Sequence, residues 1–154
     1  MKNKDSIMDH ISDNDILKLD NQLCFALYVS SREIIKKYKP LLDPLGLTYT
    51  GYITMLALWE KDNVTMKSLG EKLYLDSGTL TPLLKKLETK GLLVRERRSE
   101  DERNVYIALT KQGHELKKDT SIVPRQLISS SSFDEESTIE LINLLHRYIA
   151  SIDK

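Results

Sequence analysis

The chain has 154 residues, carries 23 lysines and arginines against 23 aspartates and glutamates, and holds one cysteine. That length suits one compact domain with a core of its own, the single cysteine excludes an internal disulfide framework, and no apolar run approaches the roughly 18 residues of a membrane helix. Balanced charge excludes a polycationic nucleic-acid coat, and residues 1–10 lack the apolar segment of a secretory signal, so a soluble, cytoplasmic protein is expected.

Leu19, Leu23, Ala26, Leu27, Ile34, Tyr38, Leu41 and Leu42 recur at three-to-four spacing and predict one long helix over residues 15–43. Pro40 is expected to kink or end it locally, and Pro44 with Gly46 to stop it. Thr48 then caps a helix through Tyr52, Met55, Leu56 and Trp59. Thr65 opens a short helix with Leu69 and Leu73, Leu75 and Asp76 make a turn, and Asp76 or Ser77 caps a further helix carrying Leu80, Leu83, Leu84 and Leu87, which Gly91 terminates. Residues 92–95 and 105–109 read as two strands around a charged tip. Thr110 starts a fifth helix, Pro124 and the serines at 129–132 break the pattern, and a last helix spans 134–152 with Leu141, Leu144, Leu145, Tyr148 and Ile152 on its apolar stripe. The reading is a mainly α fold with a small β-hairpin, one domain over 1–154. Residues 15–46 and 111–152 hold more apolar surface than a small head needs, and are expected to build a dimer around the region 48–110.

A helix, a tight turn, a polar-faced helix and then a charged hairpin is the order of a winged helix-turn-helix, which reads DNA. Ser77, Thr79 and Thr81 in the first turns of the second helix suit base edges in a major groove, with Lys85 and Lys86 a turn or two later for phosphate. At the hairpin tip Arg97, Arg98 and Arg103 suit phosphate or the narrow minor groove, and Asp101 stands two residues before Arg103, where it can orient the guanidinium. A Ser-capped surface helix and a solvated charge run explain each element taken singly; their succession favours DNA. Acidic residues bracket this basic middle, with Asp5, Asp9, Asp13, Asp15 and Asp20 on one side and Asp134, Glu135, Glu136 and Glu140 on the other. Such a modest positive face calls for dimer geometry and base contacts beside phosphate attraction.

The stretch Asp101-Glu102-Arg103-Asn104-Val105-Tyr106-Ile107-Ala108-Leu109-Thr110 resembles the MarR family of dimeric winged-helix transcription regulators, and the likeness runs from Leu19 to Tyr148. Within that family Leu23-Cys24-Phe25-Ala26-Leu27-Tyr28, Tyr38, Leu47-Thr48-Tyr49-Thr50 and Leu73-Tyr74-Leu75-Asp76-Ser77-Gly78-Thr79-Leu80-Thr81-Pro82-Leu83-Leu84 resemble the organic hydroperoxide resistance regulators. The resemblance implies a peroxide-sensing repressor that binds a pseudo-palindromic operator as a homodimer. It implies a lone sensing cysteine at Cys24, held by the hydroxyls of Tyr38 and Tyr49 from the partner subunit. Arg103 falls at the family's minor-groove arginine, Asp101 at its orienting carboxylate, and Ser77, Thr79 and Thr81 on its groove-reading helix.

A thiol attacks the O–O bond of an organic hydroperoxide as the thiolate, and hydrogen bonds donated to sulfur favour that form. With no second cysteine in the chain, the sulfenic acid formed at Cys24 is expected to end as a mixed disulfide with a low-molecular-weight thiol, or as sulfinic acid under excess oxidant. Taken by residue type alone, Cys24 reads more often as a small buried hydrophobe than as a sensor, and Tyr38 and Tyr49 read equally as packing residues. Three alternatives stand beside the sensor: a regulator answering a small phenolic ligand, a thiol peroxidase, and a winged helix used for protein contacts. No enzyme activity, cofactor or metal is expected, since Cys24 and the dispersed His10, His114 and His146 show no ligand spacing.

Overall fold

A computed structural model of the chain describes residues 12–99, 101–129 and 134–152, without the side chains of residues 13, 14, 101 and 102. The chain divides into two compact units, one ending at Lys37 and the other starting at Tyr38.

The first unit departs from the predicted single long helix. Ser12 caps a short α1, Asp13–Ile16, by accepting from the Asp15 N–H. Lys18 is then extended, a 3-10 turn follows at Leu19–Asn21, and α2 runs Leu23–Leu42. The break has a local cause: the side-chain amide of Asn21 donates to the Asp15 carbonyl at 2.8 Å and that of Gln22 to the Ile16 carbonyl, taking acceptors a continuous helix would use. Pro40 sits in the last turn of α2 and does not end it. The stop comes where it was expected, at Gly46 in the left-handed region (φ 67°).

In the second unit α3, Tyr49–Glu60, starts at Thr48, whose hydroxyl accepts from the Gly51 N–H. It buries Gly51, Tyr52, Thr54, Met55, Ala57 and Leu58, so more than one face packs inward and it forms the axis of the core. The two-residue strand β1, Val64–Thr65, which was not predicted, leads into α4, Met66–Leu73, capped by Thr65. α5 spans Ser77–Thr89 with Asp76 as its cap, settling the choice between Asp76 and Ser77. β2, Leu93–Arg98, and β3, Asp101–Leu109, are longer than expected, so the strands extend into the supposed tip, where Glu96, Arg97 and Arg98 pair with Tyr106, Val105 and Asp101. The sheet is antiparallel in the order β1-β3-β2.

α6, Lys111–Thr120, is capped by Thr110. Pro124 opens rather than breaks the next helix, α7 at Val123–Ser129, since a second-position proline gives up no intrahelical N–H. The serines at 130–132, expected to break the pattern, lie outside the described residues. α8, Glu135–Ile152, buries no residue. Leu47, Tyr52, Met55, Leu58, Leu69, Leu80, Leu84, Leu93 and Ile107 are the core of the unit.

α6 meets the wing root at Gly113, where a Cβ would stand 2.0 Å from the Leu92 carbonyl oxygen. The Gly113 carbonyl in turn accepts from Trp59 Nε1 at 2.9 Å. Gly113→Ala is expected to lower stability by about 1–3 kcal/mol, as overpacking against a fixed backbone does. Urea unfolding followed by Trp59 fluorescence measures it, and an unchanged midpoint would mean that this crossing has room to spare.

Candidate DNA-reading head and thiol sensor

The reading helix α5 begins at an aspartate that aims its first turn. Asp76 accepts from the Thr79 N–H at 2.8 Å and from the Thr79 hydroxyl at 3.1 Å, bonds that hold its carboxyl below the ordinary carboxylate range. The Thr81 hydroxyl donates to the Ser77 carbonyl at 2.7 Å. With these protons used locally, the lone pairs of Thr79 and Thr81 are what the helix offers, and they suit the amino donors of cytosine and adenine. Ser77, Lys85 and Lys86 are exposed along the same helix. Pro82 carries no N–H for the Gly78 carbonyl, so the first turns rely on the Asp76 cap.

Helix and wing are clamped by an ion pair that the sequence reading missed. Glu88 on α5 accepts from Arg95 Nη2 at 2.6 Å, Arg95 Nε at 2.9 Å and the Arg95 backbone N–H at 3.1 Å. The Arg95 side chain, bonding first, holds the Glu88 carboxyl below its usual range. A seven-residue separation across a helix end and a strand start carries no periodic signature, so only the fold reveals the pair.

β3 contains a wide bulge. Arg97 stands opposite Val105 and Arg98 opposite Asp101, which leaves Glu102, Arg103 and Asn104 with no facing residue on β2. Arg103 is thereby exposed, and it borders an open cleft of about 570 Å³ with Met66, Tyr74, Ser77, Leu80 and Asn104. Arg97 is exposed as well. Arg98 is half-buried and engaged within the head: its guanidinium lies 3.8 Å over the Tyr106 ring and Nη2 donates to Asn63 Oδ1. The Asp101 side chain, expected to orient Arg103, lies outside the described residues.

Of the sensor residues, Cys24 is exposed at the second position of α2, in the first unit. Tyr38 and Tyr49 come together in the second unit, their ring centroids 5.1 Å apart. Tyr52 completes the group at 5.6 Å from Tyr38; the sequence places it only on the helix that Thr48 caps, yet its place three residues after Tyr49 puts it on the same helical face. Burial, then the neighbouring Tyr52 and Tyr49, push the Tyr38 phenol up to about 12. Burial and Tyr49 raise Tyr52 as well. Among the described residues no group of His, Cys, Asp and Glu is placed to hold a metal ion, and no helix is long and apolar enough to cross a membrane.

Helix, turn, aimed helix and bulged wing define a winged helix-turn-helix transcriptional regulator. Residues 36–120 match the family of transcriptional regulators SarA/Rot. The chain is 48% identical over 138 residues to the organic hydroperoxide resistance transcriptional regulator of Bacillus subtilis (strain 168), covering 90% of this chain and 94% of that protein. Among solved structures it is similar to reduced AbfR bound to DNA, with TM-score 0.79, 31% identity and coverage of 93% of this chain and 100% of that one. It is also similar to overoxidized AbfR bound to DNA, with TM-score 0.74, 33% identity and the same coverage; AbfR is a protein of Staphylococcus epidermidis. The chain belongs to the MarR-type winged-helix regulators, in the group of the organic hydroperoxide resistance regulators.

The Tyr38 shift makes a pH-dependent expectation. A folded phenol raised above its ordinary value near 10 contributes stability that is fully present below pH 10 and is lost as pH rises toward 12. Spectrophotometric titration of phenolate should show late-ionising phenols, one fewer of them in Tyr38→Phe, where Tyr52 remains. If every phenol of the native protein ionises together near pH 10, the burial argument is wrong.

Proposed function

We propose that the chain is a homodimeric repressor that binds its operator while Cys24 is reduced and lets go when Cys24 is oxidised by an organic hydroperoxide and then capped by a small thiol. The observation that carries the reading is an exposed lone cysteine in a chain that also brings two half-buried tyrosines, Tyr38 and Tyr49, together with ring centroids 5.1 Å apart, the Tyr38 phenol being held protonated by burial. Tyr38 and Tyr49 donate to the sulfur of the partner subunit's cysteine in this reading. The resemblance to the hydroperoxide resistance regulator of Bacillus subtilis supports it.

The chemistry balances with one thiol per subunit. The Cys24 sulfur attacks the outer peroxide oxygen, the O–O bond breaks, and the organic fragment leaves as an alcohol after taking a proton. A small thiol then attacks the sulfenic sulfur, forming the mixed disulfide and releasing water. A second equivalent of oxidant in place of the thiol gives sulfinic acid. AbfR has been solved on DNA in both reduced and overoxidized forms, which supports taking the bulky mixed disulfide, rather than added oxygen alone, as the releasing state.

DNA is read by Ser77, Thr79 and Thr81 in the major groove, with Lys85, Lys86 and Arg97 on phosphate and Arg103, oriented by Asp101, in the minor groove. Exposed Ile139, Leu141, Ile142, Leu144 and Tyr148 on α8 supply apolar surface for the homodimer. Two heads in a dimer meet half-sites about 10 base pairs apart. Residues 15–46 and 111–152 serve dimerisation, and 48–110 serve DNA.

The test is binding to duplex DNA from upstream of the chain's own gene, before and after stoichiometric cumene hydroperoxide, with and without a small thiol, for wild type and Cys24→Ser. Release is expected for wild type with hydroperoxide and thiol together, and retention for Cys24→Ser throughout. Tight binding by fully thiolated wild type would overturn the switch, and equal responses of the two proteins would favour a ligand-answering regulator instead.

A further inference from the structure

We infer that Arg98 is not a phosphate ligand but a positioning residue, a staple across the three-stranded sheet that fixes the tilt of the wing and so aims Arg103. This rests on the DNA-reading role proposed above and assigns Arg98 a different part in it.

The geometry runs from one edge of the sheet to the other. Arg98 ends β2, Tyr106 lies on the central strand β3, and Asn63 immediately precedes β1. Tyr106 faces Thr65 on one side and Glu96 on the other, so the Arg98 side chain crosses the strand between them to reach Asn63 Oδ1. Its guanidinium lies 3.8 Å from the ring centroid, a distance at which the planar cation rests on the aromatic face. The receiving end is itself built: Asn63 holds a left-handed backbone, φ 57°, and its N–H donates to Asp62 Oδ1 at 2.6 Å.

The place of this staple explains why it matters. Beyond the Arg97–Val105 pair, Glu102, Arg103 and Asn104 have no facing residue, and pairing resumes only at Arg98 with Asp101. A ladder interrupted in this way leaves the end of the hairpin free to pivot. Arg98 stands at the far side of that interruption, so tying it to Tyr106 and Asn63 restrains the pivot next to the exposed Arg103. Arginine suits the task where lysine does not, because only its flat fork stacks and donates at once.

The two roles separate in the salt dependence of binding. A lost phosphate contact reduces the slope of log affinity against log salt by about 0.9, whereas a misaimed wing lowers affinity with the slope kept. Wild type, Arg98→Ala, Arg98→Lys, Asn63→Ala and Arg103→Ala are titrated with the upstream duplex at several salt concentrations. Amide hydrogen exchange of residues 94–98 and 105–108 is followed in the DNA-free proteins. Arg98→Ala, Arg98→Lys and Asn63→Ala are expected to lose about tenfold in affinity with the wild-type slope, a size typical of a stacked, hydrogen-bonded cation, and to exchange faster along the wing. A reduced slope in Arg98→Ala with undisturbed binding by Asn63→Ala would overturn the proposal, as would wild-type exchange in all three variants. Failure of wild type to bind duplex DNA would instead defeat the DNA-reading role, while the exchange data still decide whether Arg98 holds the wing.

Discussion

The winged head hangs on one carboxylate. Asp62, just beyond the end of α3, accepts the Asn63 N–H at 2.6 Å and the Leu109 N–H at 2.9 Å through Oδ1, and faces His114 Nε2 at 3.2 Å through Oδ2. One side chain thus fixes the turn into β1, the end of the central strand and the first turn of α6. A charged acceptor is stronger in this position than a neutral one, and an isosteric apolar residue would leave the Leu109 N–H without its partner at a half-buried site. The close crossing of Gly113 over the Leu92 carbonyl follows from the same arrangement, because α6 can start there only if Leu109 and Asp62 are in register.

Around that node the basic residues divide their work, which reconciles a zero net charge with a DNA-reading fold. Arg95 is neutralised by Glu88 and locks the wing to α5. Arg98 is spent on Tyr106 and Asn63. In the proposed reading the positive field left for phosphate comes from Lys85, Lys86, Arg97 and Arg103, a small set whose effect depends on placement rather than number. A head so lightly charged discriminates by where its groups stand, and so it invests its other arginines in rigidity.

The sequence made the helices of the second unit legible because their caps are local: Thr48, Thr65, Asp76 and Thr110 each sit where a hydroxyl or carboxylate can reach an N–H three residues on. The succession of helix, turn, helix and hairpin then gave the fold. What escaped was whatever rested on partners far along the chain. β1 has two residues and is a strand only because β3 lies beside it. Arg98 looked like a third tip arginine, since its partner Asn63 is 35 residues away. The break before α2 escaped for a different reason: the apolar spacing continues through it, while side-chain amides at Asn21 and Gln22 capture the carbonyls. The tyrosine pair was found through family likeness, and the third ring, Tyr52, was hidden by being an ordinary core residue at the right period.

The same core helix offers the route by which a capped sensor would reach DNA. α3 carries Tyr49 at its first position and ends just before Asp62, and its 12 residues span about 18 Å as a single rigid rod. Because it is buried on several faces, it has little freedom to bend, and a push at its tyrosine end is not absorbed on the way. It is delivered to the turn at Asp62 and Asn63, which holds the strand end, the α6 start and the Arg98 staple together. A bulky group that displaces Tyr49 therefore acts on the wing root through packing that admits discrete rearrangement but little compression. In the proposed switch the sensor would need no contact with the reading helix, since a displaced α3 would act on the wing root that carries Arg103.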